Sequence, residues 1–418
     1  MKKYIPFILI LSIEIFFVVS AAFKYTYLGQ DSSLTYVVYN LALFILANIY
    51  FVNDLRCNRF KISIRNLYLL IMVLIIAIIF LIEYLLGHVS DVIFERFQFF
   101  VLWSFPSILM GIYLSKKERY RDIIYFFDIF LIFSNIALIN TLINSISNNT
   151  IVSIGGANYQ QAGYIFAFSF GINLFLIIFG KNFKRFRYSS TNWYSNASKI
   201  FLILQIIGVI ISGARGAMVL IIVYSIFISI KLIRHPSSLI KLFVIISSVI
   251  IVIYLNWPKL IKIPIIAKSW GRVFAYITRD GINWAGTSGR DILYGDAIIL
   301  IKQSPLFGHG FFGYWDKLGF SPHNIILEVL LQGGIIYLMF FLLAMIFLVR
   351  KVYKLGKKDT YYEAYSILLI YPLVMLMFSG SYIYNNVLWF IFSMSVSTIF
   401  KDTKIIQHKK VGQDHESV

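Results

Sequence analysis

Thr287-Ser288-Gly289-Arg290, Ser304-Pro305-Leu306-Phe307-Gly308-His309-Gly310 and Ser321-Pro322-His323-Asn324 punctuate residues 256–324, the one long polar insertion between apolar runs in this chain. Upstream, Ser212-Gly213-Ala214-Arg215-Gly216 joins two apolar runs with almost no loop between them. Around these passages the sequence is apolar on the scale of a bilayer. A spanning helix needs about 20 mostly apolar residues. Such stretches recur near 4–23, 34–52, 67–86, 97–114, 123–143, 160–179, 200–212, 216–233, 239–256, 324–349, 362–379 and 383–400. The expected fold is therefore an all-α polytopic membrane protein of about 12 transmembrane helices, with one large extracytoplasmic loop at 257–322 that contains short helices.

The totals agree. Of 418 residues, 59% are hydrophobic and 14% charged, and the mean hydropathy is +0.78. A soluble core does not accommodate that much apolar sequence. Residues 1–418 read as a single integral membrane domain with no repeat and no separate soluble unit. Cys57 is the only cysteine, so no intrachain disulfide forms. The six histidines do not cluster at metal-ligand spacing. Neither a metal nor a cofactor is expected. Lys2-Lys3 followed by an apolar run ending in Ser20-Ala21-Ala22 has the form of a signal peptide, but Glu14 inside the run favours its retention as a span.

The net charge of +19 invites a nucleic-acid reading, and placement removes it. With the N-terminus inside, the segments assigned to the cytoplasm hold 27 of the 38 Lys+Arg. The outer segments hold the other 11, with 8 in the long loop and only Lys24, Arg96 and Arg215 elsewhere. This alternation predicts both termini in the cytoplasm and the long loop outside. Within that loop, 289–303 is predicted to be an amphipathic helix capped by Thr287 or Ser288, ended by Pro305 and followed by a tight turn at Gly308 and Gly310. The tail after Lys401 is short, polar and expected to be disordered.

Three outer residues carry potential chemistry. Arg215 sits between apolar runs among small neighbours, where the positive-inside bias does not explain it. Small neighbours, Gly216 among them, let a phosphate reach both guanidinium and backbone amides; the structural alternative is a snorkelling arginine at a helix end. Arg290 follows Thr-Ser-Gly and should open a helix, whose N-terminus favours anions, unless it pairs with Asp291 or Asp296. His323 precedes an apolar helix, with Pro322 as a first-turn residue; the positive end of that helix keeps the imidazole neutral and fit for general-base work, or it merely caps. Asn324 could hold sugar hydroxyls or orient the histidine, and Asn158 could touch a sugar or cap a helix. Glu14, Glu83, Asp128 and Glu328 read as structural pairing partners, and His309 as an exposed turn residue.

In order and spacing these parts resemble the bacterial O-antigen polymerase and O-antigen ligase superfamily (the Wzy and WaaL proteins). The resemblance rests on Ser212-x-x-Arg215-Gly216 between two spans, Ser288-Gly289-Arg290 in a large outer loop, Pro305-Leu306-Phe307-Gly308-x-Gly310, and His323-Asn324 opening a helix that runs to Gly333-Gly334-Ile335. It covers 200–345, with a fainter echo at 155–162. It implies a GT-C-like, metal-independent glycosyltransferase in the bacterial plasma (inner) membrane, with its active site facing the periplasm or exterior. The implied donor is an undecaprenyl-pyrophosphate-linked oligosaccharide, bound by Arg215 and Arg290 with Gly216, Ser288, Asn324 and Asn158 nearby, while His323 assists the acceptor hydroxyl. A Wzz-like chain-length regulator and a flippase are the implied partners, besides membrane lipid. A polymerase would pass the glycan to the next lipid-linked repeat of an O-antigen or capsule, and a ligase would pass it to lipid A–core of lipopolysaccharide. The Lys-, Ile-, Asn- and Tyr-rich composition leans to the polymerase. A flippase or transporter is disfavoured, because the unusual residues gather at the outer surface and not at the bilayer midplane.

Overall fold

A computed structural model of the chain describes residues 5–24, 34–57, 59, 62–87, 89–116, 119–233, 236–275, 277–278, 281–282, 289–311 and 313–398. The first half comprises α1 (Ile5–Ile10), α2 (Ser12–Ala22), α3 (Leu34–Cys57), α4 (Ile64–Leu85), α5 (Asp91–Phe99), α6 (Phe105–Leu114), α7 (Ile123–Asn148), α8 (Tyr159–Phe179) and α9 (Asn192–Ser212). Then come α10 (Arg215–Leu232), α11 (Pro236–Leu260), α12 (Pro264–Phe274), α13 (Arg290–Gln303), α14 (Trp315–Leu318), α15 (Ile325–Lys358), α16 (Tyr361–Met375) and α17 (Asn386–Ser397). Strands β1 (Ile277–Thr278) and β2 (Gly281–Ile282) form a minimal antiparallel hairpin in the long loop. Ser288, Thr287 and the tail after Lys401 lie outside the described residues.

Each expected apolar stretch falls on helix, and eight helices of the described chain are long and apolar enough to cross a membrane. The fold is that of an all-α polytopic membrane protein. Its rim is built for lipid: α3 and α4 expose Val37, Leu41, Ile45, Leu74, Ile75 and Ile82, a surface that water would not tolerate. α8 is the hub, with 83% of its most apolar stretch buried against 17% for α4. Glycines let its neighbours close in. A Cβ on Gly171 would meet the Tyr224 ring of α10 at 2.5 Å, and one on Gly163 would meet Ser212 and Ala214 at 2.6 Å.

Ion pairs gather at the end where α7 and α9 begin and α8 and α10 finish. Asp54 accepts from Lys116 at 2.6 Å and Arg119 at 2.8 Å, Asp128 from Arg185 at 3.1 Å, Asp359 from Arg121 at 3.1 Å, and Glu363 from Lys231 at 2.9 Å. Asp128 is thus a structural partner, as its sequence position suggested.

Two expected spans are broken. The run 4–23 is split at Leu11, where the backbone leaves helical geometry between α1 and α2. The run 324–349 is interrupted at Gly333–Gly334, with φ −137° and then +62°. Unbroken, the 34 residues of α15 would reach about 51 Å at 1.5 Å per residue, well beyond a hydrocarbon core of about 30 Å. The break divides α15 into a short first piece, 325–332, and a bilayer-length piece, 335–358. It also strands backbone groups, which lipid cannot satisfy. The Pro305–Gly310 segment satisfies them: His309 N–H donates to Leu331 O at 2.8 Å and Gly310 N–H to Gln332 O at 2.9 Å, while Ile335 N–H donates to Pro305 O at 2.9 Å. His309 is therefore not the exposed turn residue expected. It is half-buried, its Nε2 lies 2.8 Å from Leu300 O, and its Nδ1 lies 3.0 Å from Lys317 Nζ. Because the ammonium can only donate, Nε2 carries the proton and donates to Leu300.

The glycines at this junction are obligatory. A Cβ on Gly308 would press on Gln332 and Gly333 backbone at 2.5 Å, and one on Gly334, at positive φ, would collide with the Leu306 carbonyl. Gly334→Ala is expected to cost about 3 kcal/mol, from left-handed strain plus overpacking. Gly308→Ala should behave alike, whereas Gly295→Ala, where nothing lies within 4 Å, should be neutral or better. Heat-denaturation midpoints of the detergent-solubilised variants check this ordering.

Candidate active site

The other end of the bundle holds the sequence-predicted residues. The α9–α10 turn is set by Ser212, whose hydroxyl donates to Val209 O at 2.7 Å and accepts from Ala214 N–H at 3.2 Å, and by Gly213 at φ +67°. The chain reverses in two residues, and Arg215 becomes the first residue of α10. Ser269 of α12 clips onto this turn by donating to Ile211 O at 2.6 Å. That contact brings the C-terminal end of α12 beside Arg215, whose Nε and Nη2 donate to Arg272 O at 3.2 and 3.0 Å.

Arg290 is likewise the first residue of its helix, α13, preceded by Gly289 at φ +78°. Gly289 occupies the cap position, and the expected caps Thr287 and Ser288 lie outside the described residues. The helix is also not two-faced as expected: only Ala297 is fully buried, and Ile292, Ile298 and Ile299 are all exposed. The Arg290 guanidinium does not follow the Asp291 or Asp296 alternative. Its Nη2 donates to Phe378 O at 2.7 Å, just beyond the C-terminal end of α16.

His323 is not a first-turn residue, and neither is Pro322. Asn324 is the N-cap of α15, and its Oδ1 accepts from Ile326 and Leu327 N–H at 3.0 and 3.2 Å. The Oδ1 of that side chain is committed to capping, which leaves its Nδ2 donors. Asn158 caps α8 in the same way, accepting from Gln161 N–H at 3.0 Å. His323 itself sits at φ +52°, a left-handed conformation that a non-glycine residue adopts at a cost. It is held there from both sides. Its N–H faces Ser321 Oγ at 3.4 Å, Ser321 donates to Gly380 O at 3.0 Å, and Ile325 N–H donates to Leu376 O at 2.9 Å. The imidazole Nδ1 is buried and, among the described residues, meets no hydrogen-bond partner. Burial, and then the Arg290 charge, lower its pKa below the ordinary value. Neutrality was expected, but its cause is desolvation and a neighbouring cation, where the helix dipole had been expected to act.

Arg215, Gly216, Arg290 and His323 line one cavity of about 220 Å³. Sequence reasoning missed a third guanidinium on its wall, Arg272, which lies 3.9 Å from the Tyr159 ring centroid in a cation–π contact. The available signal was a repeated pattern: Gly271-Arg272 repeats Gly289-Arg290, an outer arginine behind a glycine. Gly216 is required for the wall to close, since a Cβ there would collide with the Tyr164 hydroxyl. None of the described lining residues is Asp or Glu. Two helix N-termini, those of α10 and α13, open at this cavity, and each adds a partial positive charge. The chemistry of this lining would suit a multiply charged anion with a weak base beside it.

Residues 200–342 match the family model described as O-antigen ligase. That stretch is thus similar to the O-antigen polymerase and ligase superfamily, whose members transfer glycans carried on lipid-linked oligosaccharides in membranes. It spans α9 to the lipid-length part of α15 and so includes Arg215, Arg272, Arg290 and His323. No curated protein and no solved structure matches the chain.

If the three arginines share one anion, Arg272→Ala should weaken inorganic pyrophosphate binding by about 10- to 100-fold, the worth of one hydrogen bond to a charged group. The Arg272 carbonyl that anchors Arg215 survives this substitution, so the fold should not change. Isothermal titration of the purified protein with pyrophosphate measures the loss.

Proposed function

We propose that the chain is a polysaccharide polymerase that transfers an undecaprenyl-pyrophosphate-linked glycan to the next lipid-linked repeat unit, without a metal, at the outer face of the bacterial plasma membrane. The observation that carries this reading is the convergence of Arg215, Arg272 and Arg290 on one cavity beside His323. Two of these guanidiniums are held by backbone carbonyls. A carbonyl orients an arginine without adding a negative charge of its own.

In this reading the diphosphate occupies the arginine cavity and its lipid tail stays in the bilayer. An acceptor hydroxyl oxygen attacks the anomeric carbon of the donor. The bond from that carbon to the diphosphate oxygen breaks, and the electron pair leaves with the diphosphate. The guanidiniums and the two helix N-termini stabilise the charge that develops there. The hydroxyl proton passes to His323, whose depressed pKa keeps it unprotonated and able to accept. Attack from the face opposite the leaving group inverts the anomeric centre. Residues 200–345 form the catalytic core in this proposal, and 257–322 the extracytoplasmic loop that completes it, with both termini in the cytoplasm. The lysine- and arginine-rich segments at the ion-paired end support that orientation.

The second reading is a ligase that passes the glycan to lipid A–core, favoured by the description of the matched family. Cells lacking the gene distinguish the two: loss of a polymerase leaves single repeats on the surface, and loss of a ligase leaves long chains on the lipid carrier.

Returned to such cells, Arg215→Ala, Arg290→Ala and His323→Ala should each insert normally and make no polymer. Full activity in either arginine variant would end the diphosphate assignment. The acid limb of kcat/KM, which reports the free enzyme, should lie below the ordinary imidazole value of about 6.5. Acidification through the lowered pKa protonates His323 and removes the base, and in His323→Gln the residual rate should lose that limb.

A further inference from the structure

A second cavity, of about 140 Å³, lies on the other side of Tyr164, a residue that lines both. The partition also includes Gln160, which faces the arginine cavity and accepts from Ser379 Oγ of the second at 3.3 Å. The second cavity is set deeper among the spans, against α2, α8 and α16.

Its floor is a carboxylate. Glu14 is buried, and its Oε1 accepts from the Tyr371 hydroxyl at 3.0 Å. Asn386 stands beside the same carboxylate, yet Oε2 is buried and, among the described residues, has no hydrogen-bond partner. Across the cavity, Gln161 Oε1 is in the same condition. Both groups line the space; Gln161 Oε1 is an acceptor, and Glu14 Oε2 accepts when the carboxyl is ionised and can donate when it is protonated. Hydroxyl groups, which both donate and accept, satisfy either case. A carboxylate within a span marks function by default, and here structural pairing uses only one of its two oxygens.

The walls supply the other half of the recognition. Tyr36, Trp103 and Tyr384 stand roughly edge to face, with Trp103 5.9 Å from Tyr384 and 6.4 Å from Tyr36 between ring centroids. Trp103 is fixed by donating from Nε1 to Asn40 Oδ1 at 3.1 Å. Polar groups facing aromatic planes suit a ring that carries hydroxyls on its edge and C–H groups on its faces. Two helix irregularities frame the space. Phe100–Ser104, which carries Trp103, is wound as a π-helix, and α2 starts at Ser12, two residues before Glu14. Such departures from α-geometry in a spanning helix concentrate at ligand sites.

We propose that this cavity is a sugar subsite, holding one pyranose ring of the lipid-linked oligosaccharide through hydrogen bonds between its hydroxyls and Glu14 and Gln161. The inference rests on the reading of the arginine cavity as the diphosphate site, because the shared Tyr164 wall makes the two cavities successive parts of one substrate path. Glu14 and Gln161 are positioning residues in this scheme, and the chemistry stays with His323.

The test uses full-length purified protein and two probes: inorganic pyrophosphate, and the soluble oligosaccharide released by mild acid from the lipid-linked pool of the host cells. Wild type, Glu14→Gln, Gln161→Leu and Arg215→Ala are compared by the shift each probe produces in the heat-denaturation midpoint. Both Glu14→Gln and Gln161→Leu should raise the oligosaccharide concentration needed for half-maximal shift by at least about tenfold and leave the pyrophosphate response unchanged. Arg215→Ala should do the reverse. An oligosaccharide response equal to wild type in both cavity variants, with pyrophosphate binding intact, overturns the subsite and leaves the diphosphate reading standing. Absence of any pyrophosphate response in wild type fails that reading instead. If Glu14→Gln does not fold, Gln161→Leu alone decides.

Discussion

Three guanidiniums drawn to one small cavity repel one another, and the fold must hold them there against that repulsion. Main-chain oxygens hold two of them: Arg215 is tethered to the carbonyl of Arg272, and Arg290 to that of Phe378. Several local features place those carbonyls. Ser269 docks α12, the two-residue reversal at Gly213–Ala214 starts α10 at Arg215, and the chain just beyond the C-terminal end of α16 presents Phe378.

The two ends of the bundle solve opposite problems. At one end, carboxylates and bases pair, so that Asp54, Asp128, Asp359 and Glu363 each meet a cation. At the other, arginines face a cavity whose described lining holds no acid. A diphosphate bound there would supply the counter-charge that the fold withholds. The break in α15 belongs to the same design. By ending the first piece at Gln332, it separates the short piece that presents His323 from the piece that crosses lipid, and the Pro305–Gly310 segment heals the broken ladder.

Several motifs read from the sequence proved to be architecture. Pro305-Leu306-Phe307-Gly308-x-Gly310 clamps a helix break and contributes nothing to the lining of the arginine cavity. Asn324 and Asn158 are caps. A capping asparagine and a sugar-binding asparagine look alike in a sequence, because both stand before an apolar helix. Arg272 shows the converse. Its one local mark is the preceding Gly271, and its place at the cavity comes from α12 docking on α9, a contact between residues 58 positions apart. Glu14 is intermediate: its place in a span was visible, but that one oxygen pairs and the other faces a cavity was not.

The sequence by itself determined what depends on composition and short-range pattern. The apolar run lengths set the helices, the alternation of Lys and Arg gave the orientation now proposed, and an arginine among small residues between two spans and another after Thr-Ser-Gly in the long loop were enough to single out Arg215 and Arg290. Only the tertiary structure decided what depends on residues far apart in the chain meeting. It joined Arg215, Arg272, Arg290 and His323 around one cavity, broke α15 where a distant loop could satisfy the freed backbone groups, and set Glu14 opposite Gln161. The physical reason is that helix formation in lipid is enforced residue by residue by the need to pair each N–H and C=O. Which helix ends converge is settled by packing among faces that are almost uniformly apolar, where a single small residue or hydroxyl selects the partner.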